Sequence, residues 1–441
     1  MHSKKIYVTL LSITLFITSC QKLITDPSNA SNTPTVTSQG GYKTWGETYN
    51  DFGLGVFQTA DGGYAVVGSQ YTDDVTQSDL VLVQFKTDLT PVTGSEKVLT
   101  MATFSGTENT LSYSDTGNDF IQTADGGFAI VGQTFNGTDY DVLVVKYAPS
   151  TSSGFTLNWS VKIDGNDLGN NDYGNSIIQK EDGGFVVCGT TFDGNDEDIM
   201  LWEINVAANE PTATELWDSE SAADNGLKDF GNHAEQTSDG GYIVVGTTST
   251  GIKIVKLIYD STSSTYILDT NFSGDGEHIL TTGAEGNFVQ QTNSGDYIVA
   301  GNVQGGTGAQ ADVVLFHVPN DVATDGTGIV STTLGGSYND NASSIIQTND
   351  GGYAFTGSKY TENRASELWA VKLTPGLTVV WEKTYGGLLN DNGASIKEAN
   401  DGGYIIAGST MTNDKQSQFL ILKIESDGCV WDSGTMETCG N

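Results

Sequence analysis

Apolar residues in this chain come in clusters of four or five rather than at helical spacing, and the clusters recur on a fixed plan. The string Asp-Gly-Gly-aromatic stands at Asp61, Asp125, Asp182, Asp239, Asp350 and Asp401, and Ser294-Gly295-Asp296-Tyr297 fills the one gap. The seven starts are spaced 64, 57, 57, 55, 56 and 51 residues apart. Seven residues after each start comes a glycine: Gly68, Gly132, Gly189, Gly246, Gly301, Gly357 and Gly408. Ten residues before it stands Asp51, Asp115, Asp172, Asp229, Asp340 or Asp391, with Ala284 in the fifth copy. Seven residues after that leading position stands Gln58, Gln122, Gln179, Gln236, Gln291, Gln347 or Glu398. A period of this length marks a repeat architecture.

Each copy predicts four short strands. The first runs into the Asp-Gly-Gly hairpin, whose glycines accept the backbone angles of a tight turn. The second follows, as in Tyr353-Ala-Phe-Thr-Gly357. The third is an unbroken apolar run such as Leu80-Val-Leu-Val83, Val142-Leu-Val-Val145 or Phe419-Leu-Ile-Leu422. Such runs belong to strands covered on both faces, so these sheets must stack on one another. The fourth carries Trp159, Trp217 or Trp381. Seven four-stranded antiparallel sheets stacked face to face predict an all-β fold, a single seven-bladed β-propeller over residues 41–441. Trp45-Gly-Glu-Thr-Tyr49, ahead of the first copy, matches Trp381-Glu-Lys-Thr-Tyr385 and is expected to complete the last blade. The tail around Trp431 competes for that place.

The first 19 residues read as a signal peptide, with Lys4 and Lys5 ahead of a short apolar stretch, Ile6 to Ile17. Ile17-Thr18-Ser19-Cys20 resembles the lipobox of bacterial lipoproteins. That resemblance implies acylated Cys20, a tether over residues 20–40 and, with Gln21 in place of Asp, the outer membrane. Residues 41–441 resemble a group of secreted or lipid-anchored bacterial propellers common in Bacteroidota, with Trp…Tyr-Gly-Gly…Asp-Gly-Gly-Tyr repeats. Thr384-Tyr385-Gly386-Gly387 and Asp401-Gly402-Gly403-Tyr404 show the pattern best. Kelch propellers place the glycine pair after the second strand, unlike this chain. Gly154 to Trp159 and Gly376 to Trp381 faintly resemble quinoprotein repeats, in too few blades to imply a quinone.

Charge narrows the partners. The 441 residues hold 19 basic against 55 acidic side chains, a net of −36. Nothing there could neutralise a nucleic-acid backbone or dock on an anionic membrane through basic residues. Cys188 sits in an apolar strand and reads as core, whereas Cys429 and Cys439 could pair and staple the tail.

The leading aspartates Asp51, Asp115, Asp172, Asp229, Asp340 and Asp391 are the candidate metal ligands. A ring of carboxylates would suit calcium. A residue repeated in nearly every blade, however, has the same job in each, and an Asp two residues before Gly is well made to hold a turn. No cofactor is required by any motif. Catalytic signatures, among them Gly-x-Ser-x-Gly, His-Glu-x-x-His and phosphate loops, are absent from the sequence. Function is expected where the blades differ, in loops on one face, where Phe52, Tyr71, Tyr113, Phe135, Tyr140, Tyr173, Phe192, Tyr338 and Tyr360 stand among Asn, Asp and Thr. Aromatic rings beside amides and carboxylates suit sugars or protein partners. The sequence therefore predicts a lipid-anchored binding module for glycan or protein. The alternatives are a glycan hydrolase using two carboxylates and a structural envelope protein.

Overall fold

In a computed structural model, the first strand of every repeat carries a β-bulge at the same place. The register slips between Gly53 and Gly55, Gly117 and Asp119, Gly174 and Ser176, Gly231 and His233, Gly286 and Phe288, Ala342 and Ser344, and Gly393 and Ser395. A bulge bends a strand and re-aims the extra side chain. Residues 1–41 and 432–441 lie outside the residues the structure describes, as do 46–50, 60, 72–77, 93–96, 100–114, 151–153, 166–169, 193–195, 208, 220–227, 305–309, 361–364, 387–388 and 412–416. The signal peptide, Cys20, Cys439 and the acidic loop from Asp193 therefore lie wholly or partly outside the description.

The described residues form seven antiparallel sheets. Their inner strands are Asp51–Gln58, Asp115–Gln122, Tyr173–Gln179, Asp229–Gln236, Ala284–Gln291, Asn341–Gln347 and Asp391–Glu398, opening blades 1 to 7 in order. Six sheets have four strands. Blade 4 has five, because two short strands, Thr265–Leu268 and Glu277–Thr282, share the flank of Gly251–Asp260.

Seven hydrophobic clusters fill the spaces between blades, one for each neighbouring pair. The third strand feeds two of them, as its lack of alternation predicts. In blade 1, Val81 and Val83 pack toward blade 7 beside Ile405 and Phe419, whereas Leu82 packs toward blade 2 beside Phe128 and Leu143. The aromatic after each hairpin is core in every copy, with exposures of 0–2% from Tyr64 to Tyr404.

Both chain ends build the last outer strand. Tyr42–Trp45 pairs with Ser417–Ile424, matching Tyr42 to Leu422 and Trp45 to Phe419. The tail turns back on the same strand a little further along, through the Ile424–Val430 bridge and the bond from Trp431 N–H to Lys423 O. The two candidates for ring closure thus occupy successive stretches of one strand position. Cys429 is disulfide-bonded, and Cys188 is a buried free thiol whose titration burial pushes far up.

The second-strand glycines follow from the bulge. A Cβ at any of the seven would lie 1.8–2.5 Å from the carbonyl oxygen of the residue after the leading position, for example 1.9 Å from Asn341 O at Gly357. That carbonyl occupies the space a side chain needs. The first glycine of each Asp-Gly-Gly turn serves differently, with φ near +80 to +90°, and at Gly183 (+88°), Gly240 and Gly402 an added Cβ would meet nothing within 4 Å.

Candidate functional site

Repeated polar residues turn out to sew each blade to the next. The Gln seven places after the leading position accepts a backbone N–H from the hairpin of the preceding blade: Gln58 from Asn400, Gln179 from Ala124, Gln291 from Ser238 and Gln347 from Asn293, each at 2.8 Å. Glu398 does the same with Asn349. At the bulge, Asn118, Asn175, Asn232 and Asn287 donate to the backbone oxygens of Gly174, Gly231, Gly286 and Ala342 in the following blade, at 2.6–2.9 Å. Leu54, Ser343 and Ala394 hold that position in the other three blades and end the amide series.

The hairpin aspartates are turn residues. Asp350 Oδ1 accepts from Gly352 N–H at 3.0 Å and from the Thr348 hydroxyl, and Asp125 and Asp239 repeat the arrangement. A buried third-strand lysine then reaches four of the seven turns: Lys146 to Asp125, Lys256 to Asp239, Lys372 to Asp350 and Lys423 to Asp401. The Lys372 ammonium and the Thr348 hydroxyl hold the Asp350 carboxyl down at about 2. Blade 3 swaps the charges: Glu203 replaces the strand lysine, and Lys180 bridges Asp182 and Glu203. Five of the chain's 19 basic side chains are committed in this way.

The leading aspartates are buried between blades, with exposures of 0–4%, and none is on the wall of the central lumen. Asp172 accepts from Gly165 N–H at 2.7 Å and from the Thr191 hydroxyl, and Asp229 meets Lys253 at 3.3 Å. Among the described residues no group of three or more His, Cys, Asp and Glu side chains is placed to hold a metal ion. The glycine after the fourth strand explains the Tyr-Gly-Gly motif. At Gly165 or Gly386 a Cβ would strike the carboxylate of the next leading aspartate, Asp172 or Asp391, at 2.5 and 2.1 Å.

Two places are built from side chains that differ between blades. The first is the lumen, about 920 Å³, lined by the bulge residues and by Asp119, His233, Glu235 and Lys397. Its wall mixes apolar residues such as Leu54, Ile121, Ile178 and Phe288 with amides such as Asn118, Asn175, Asn232 and Asn287. Burial among apolar neighbours raises Asp119 to about 6 and Glu235 to about 7, and it lowers His233 to about 3, so that this imidazole, stacked 3.8 Å over Phe288, is neutral. Glu235 titrates higher folded than unfolded. Its favourable contribution is therefore complete below about pH 4.5 and lost as pH rises through 7. Glu235→Gln mimics the protonated form. Relative to wild type it is expected to gain about 2 kcal/mol of stability between pH 4 and pH 8, once water in the lumen is allowed for. Denaturation curves at both pH values check this; an equal difference at each would contradict it.

The second place is a cleft of about 290 Å³ between blades 5 and 6, on the face where the inner strands begin. Tyr360 stands at its edge, 40% exposed. Asn302, Asn339 and Asn341 line it with Glu285, Asp340 and Ser358. All three amide oxygens are already used: Asn302 accepts from Ala342 N–H, Asn339 from Ala311 N–H and Asn341 from the Ser343 hydroxyl. Their NH₂ groups make no hydrogen bond among the described residues. Other blades use Ser69, Thr190 or Thr247 where blade 5 has Asn302, and those hydroxyls hold the next blade's N–H with no NH₂ to spare. Of the aromatics marked in the sequence, Phe52, Phe135, Tyr140, Tyr173 and Phe192 are half-buried, Phe135 and Tyr140 packing together at 5.2 Å. Tyr338, at 37%, is exposed like Tyr360. Tyr113 and the Tyr71 side chain lie outside the description.

No protein-family model matches the chain, and no curated protein sequence does. Among solved structures, the polysaccharide lyase Uly1 is similar at 10% identity, over 93% of this chain and 98% of its own, with a TM-score of 0.50. Sqt1 from Chaetomium thermophilum is similar at 11% identity, over 88% and 100%, with a TM-score of 0.45. An α-L-arabinofuranosidase from Fusarium graminearum is similar at 10% identity, over 69% and 92%, with a TM-score of 0.43. At these identities the likeness is one of fold.

Proposed function

We propose that the chain is a carbohydrate-binding propeller, held at the outer membrane through acylated Cys20, that captures a glycan in the cleft between blades 5 and 6 without turning it over. The observation that carries this reading is the donor set of the cleft: three unspent amide NH₂ groups beside an exposed tyrosine ring. A sugar offers the matching surfaces, hydroxyl oxygens to accept and a C–H face to lie on the ring. A volume near 290 Å³ suits one or two sugar units. Among the described residues no basic side chain lines the cleft, which favours a neutral glycan over a uronic or sulfated one.

A screen of residues 21–441 against polysaccharides, reading retention and reducing-end release together, tests this. Retention without release is expected. A hydrolytic reading has one observation in its favour, Glu235 held protonated near neutrality as a general acid must be. Release by the wild type that Glu235→Gln abolishes would establish hydrolysis and overturn the binding reading.

A further inference from the structure

The cleft between blades 5 and 6 and the central lumen share part of their walls. Glu285 and Asn341, in the opening positions of two inner strands, and Asn302, from the second strand of blade 5, line both spaces. The two therefore adjoin on the face where the inner strands begin. All three side chains are polar and that of Glu285 is exposed, so the boundary is no packed apolar layer.

The lumen wall offers what the cleft lacks. Leu54, Ile121, Ile178, Phe230 and Phe288 are large and apolar yet only half-buried, and all five line the lumen. Covering such surface is favourable. Beside them, the side-chain amides of Asn118, Asn232 and Asn287 donate to the next blade, but their oxygens accept no hydrogen bond among the described residues. The cleft thus holds spare donors and the lumen spare acceptors. A chain of sugar rings satisfies both, because each hydroxyl donates as well as accepts and each ring has a C–H face. Charge narrows the kind of sugar. Asp119, Glu235 and Glu285 face the lumen against Lys397, and that excess of carboxyls disfavours an acidic chain.

We propose that a single neutral oligosaccharide chain occupies the cleft and the lumen together, its end passing from the Tyr360 ring into the channel. The proposal rests on the glycan reading of the cleft and adds the length of what is bound. At about 920 Å³ against 290 Å³, the lumen has room for roughly three to five further sugar units. A biose fills the cleft alone, whereas a hexaose reaches the channel wall.

The test is titration calorimetry of residues 21–441 with neutral gluco-, xylo- and manno-oligosaccharides, each as the biose and the hexaose. In the series that binds, the hexaose is expected to be roughly tenfold tighter than the biose or better, from the added apolar contact. Ala394 stands on the lumen wall at the bulge of blade 7 and outside the cleft lining, with no hydrogen bond to lose. Ala394→Trp places an indole in the channel. It should bring the hexaose down to the affinity of the biose and leave the biose unchanged, which also shows the fold intact. Ala394→Leu, a smaller plug, should remove part of the same gain. A hexaose bound no more tightly than the biose would overturn the channel and leave the cleft reading standing. A hexaose advantage undiminished in Ala394→Trp would overturn it as well. Binding of no oligomer in any series would overturn both readings.

Discussion

Gly357→Ala is expected to cost roughly 3 kcal/mol or more, although it adds one methyl group. The methyl carbon would lie 1.9 Å from Asn341 O, a backbone atom of the bulge, and 2.9 Å from the Cα of Ala342. To relieve that contact the inner strand must move by more than 1 Å. That strand also carries the N–H that Asn302 accepts and the oxygen that Asn287 bonds from blade 5. The damage therefore reaches the junction with the neighbouring blade. Gly183→Ala is the comparison. Nothing lies within 4 Å of its added methyl, and its φ of +88° costs about 1 kcal/mol for a residue with a side chain. Denaturant unfolding of both variants checks the ordering. Equal losses would mean that the second-strand glycines are conformational rather than spatial in origin.

Removal of everything before residue 46 is expected to open the ring. Four residue pairs with the strand Ser417–Ile424 disappear, and Phe419 to Leu422, 0–4% exposed in the closed form, become an apolar edge. At about 1 kcal/mol for each ladder bond, with re-exposed apolar surface added, the loss is roughly 3–5 kcal/mol. An uncovered edge of this kind also pairs with other chains, so the truncated protein should aggregate on warming. A peptide of residues 40–50 supplied in trans should restore part of the melting temperature by adding back the strand. An unchanged melting temperature and a monomeric species would contradict closure by the N-terminal strand.

The period of the sequence made the blades legible because each copy repeats the same local problem: a strand, a Gly-Gly hairpin, a strand, then a run buried on both faces. Contacts between copies were harder to read, because they depend on how residues more than 50 positions apart are registered. The leading aspartates illustrate this. They do open or immediately precede the inner strands, as expected, but the bulge three residues later turns a different position into the lumen. Asp115 is thus buried between blades, while Asn118 and Asp119 reach the channel wall. Asn118, Asn175, Asn232 and Asn287 fall at the same offset in four consecutive copies, a polar residue mid-strand, and that was the available signal. The third-strand lysines were hidden for another reason. Lys256 sits beside the run Ile252–Val255 and looks solvated in sequence, yet it is 2% exposed against Asp239.

Nothing in the sequence singled out the cleft between blades 5 and 6. Tyr360 looked like eight other aromatics, and its distinction comes from Asn302 in the neighbouring blade.

The central claim is a division of labour: positions shared by the blades hold the ring, and departures from the repeat at blades 5 and 6 hold the ligand. Titration calorimetry with the glycan retained in the screen, run beside thermal unfolding for Tyr360→Ala and Gln291→Ala, tests it most directly. Gln291 joins blades 4 and 5 through Ser238 N–H and caps its own turn at Gly295 O. The account predicts at least tenfold weaker binding by Tyr360→Ala with an unchanged melting temperature, and a lowered melting temperature with unchanged affinity for Gln291→Ala. Undiminished affinity in Tyr360→Ala would contradict it.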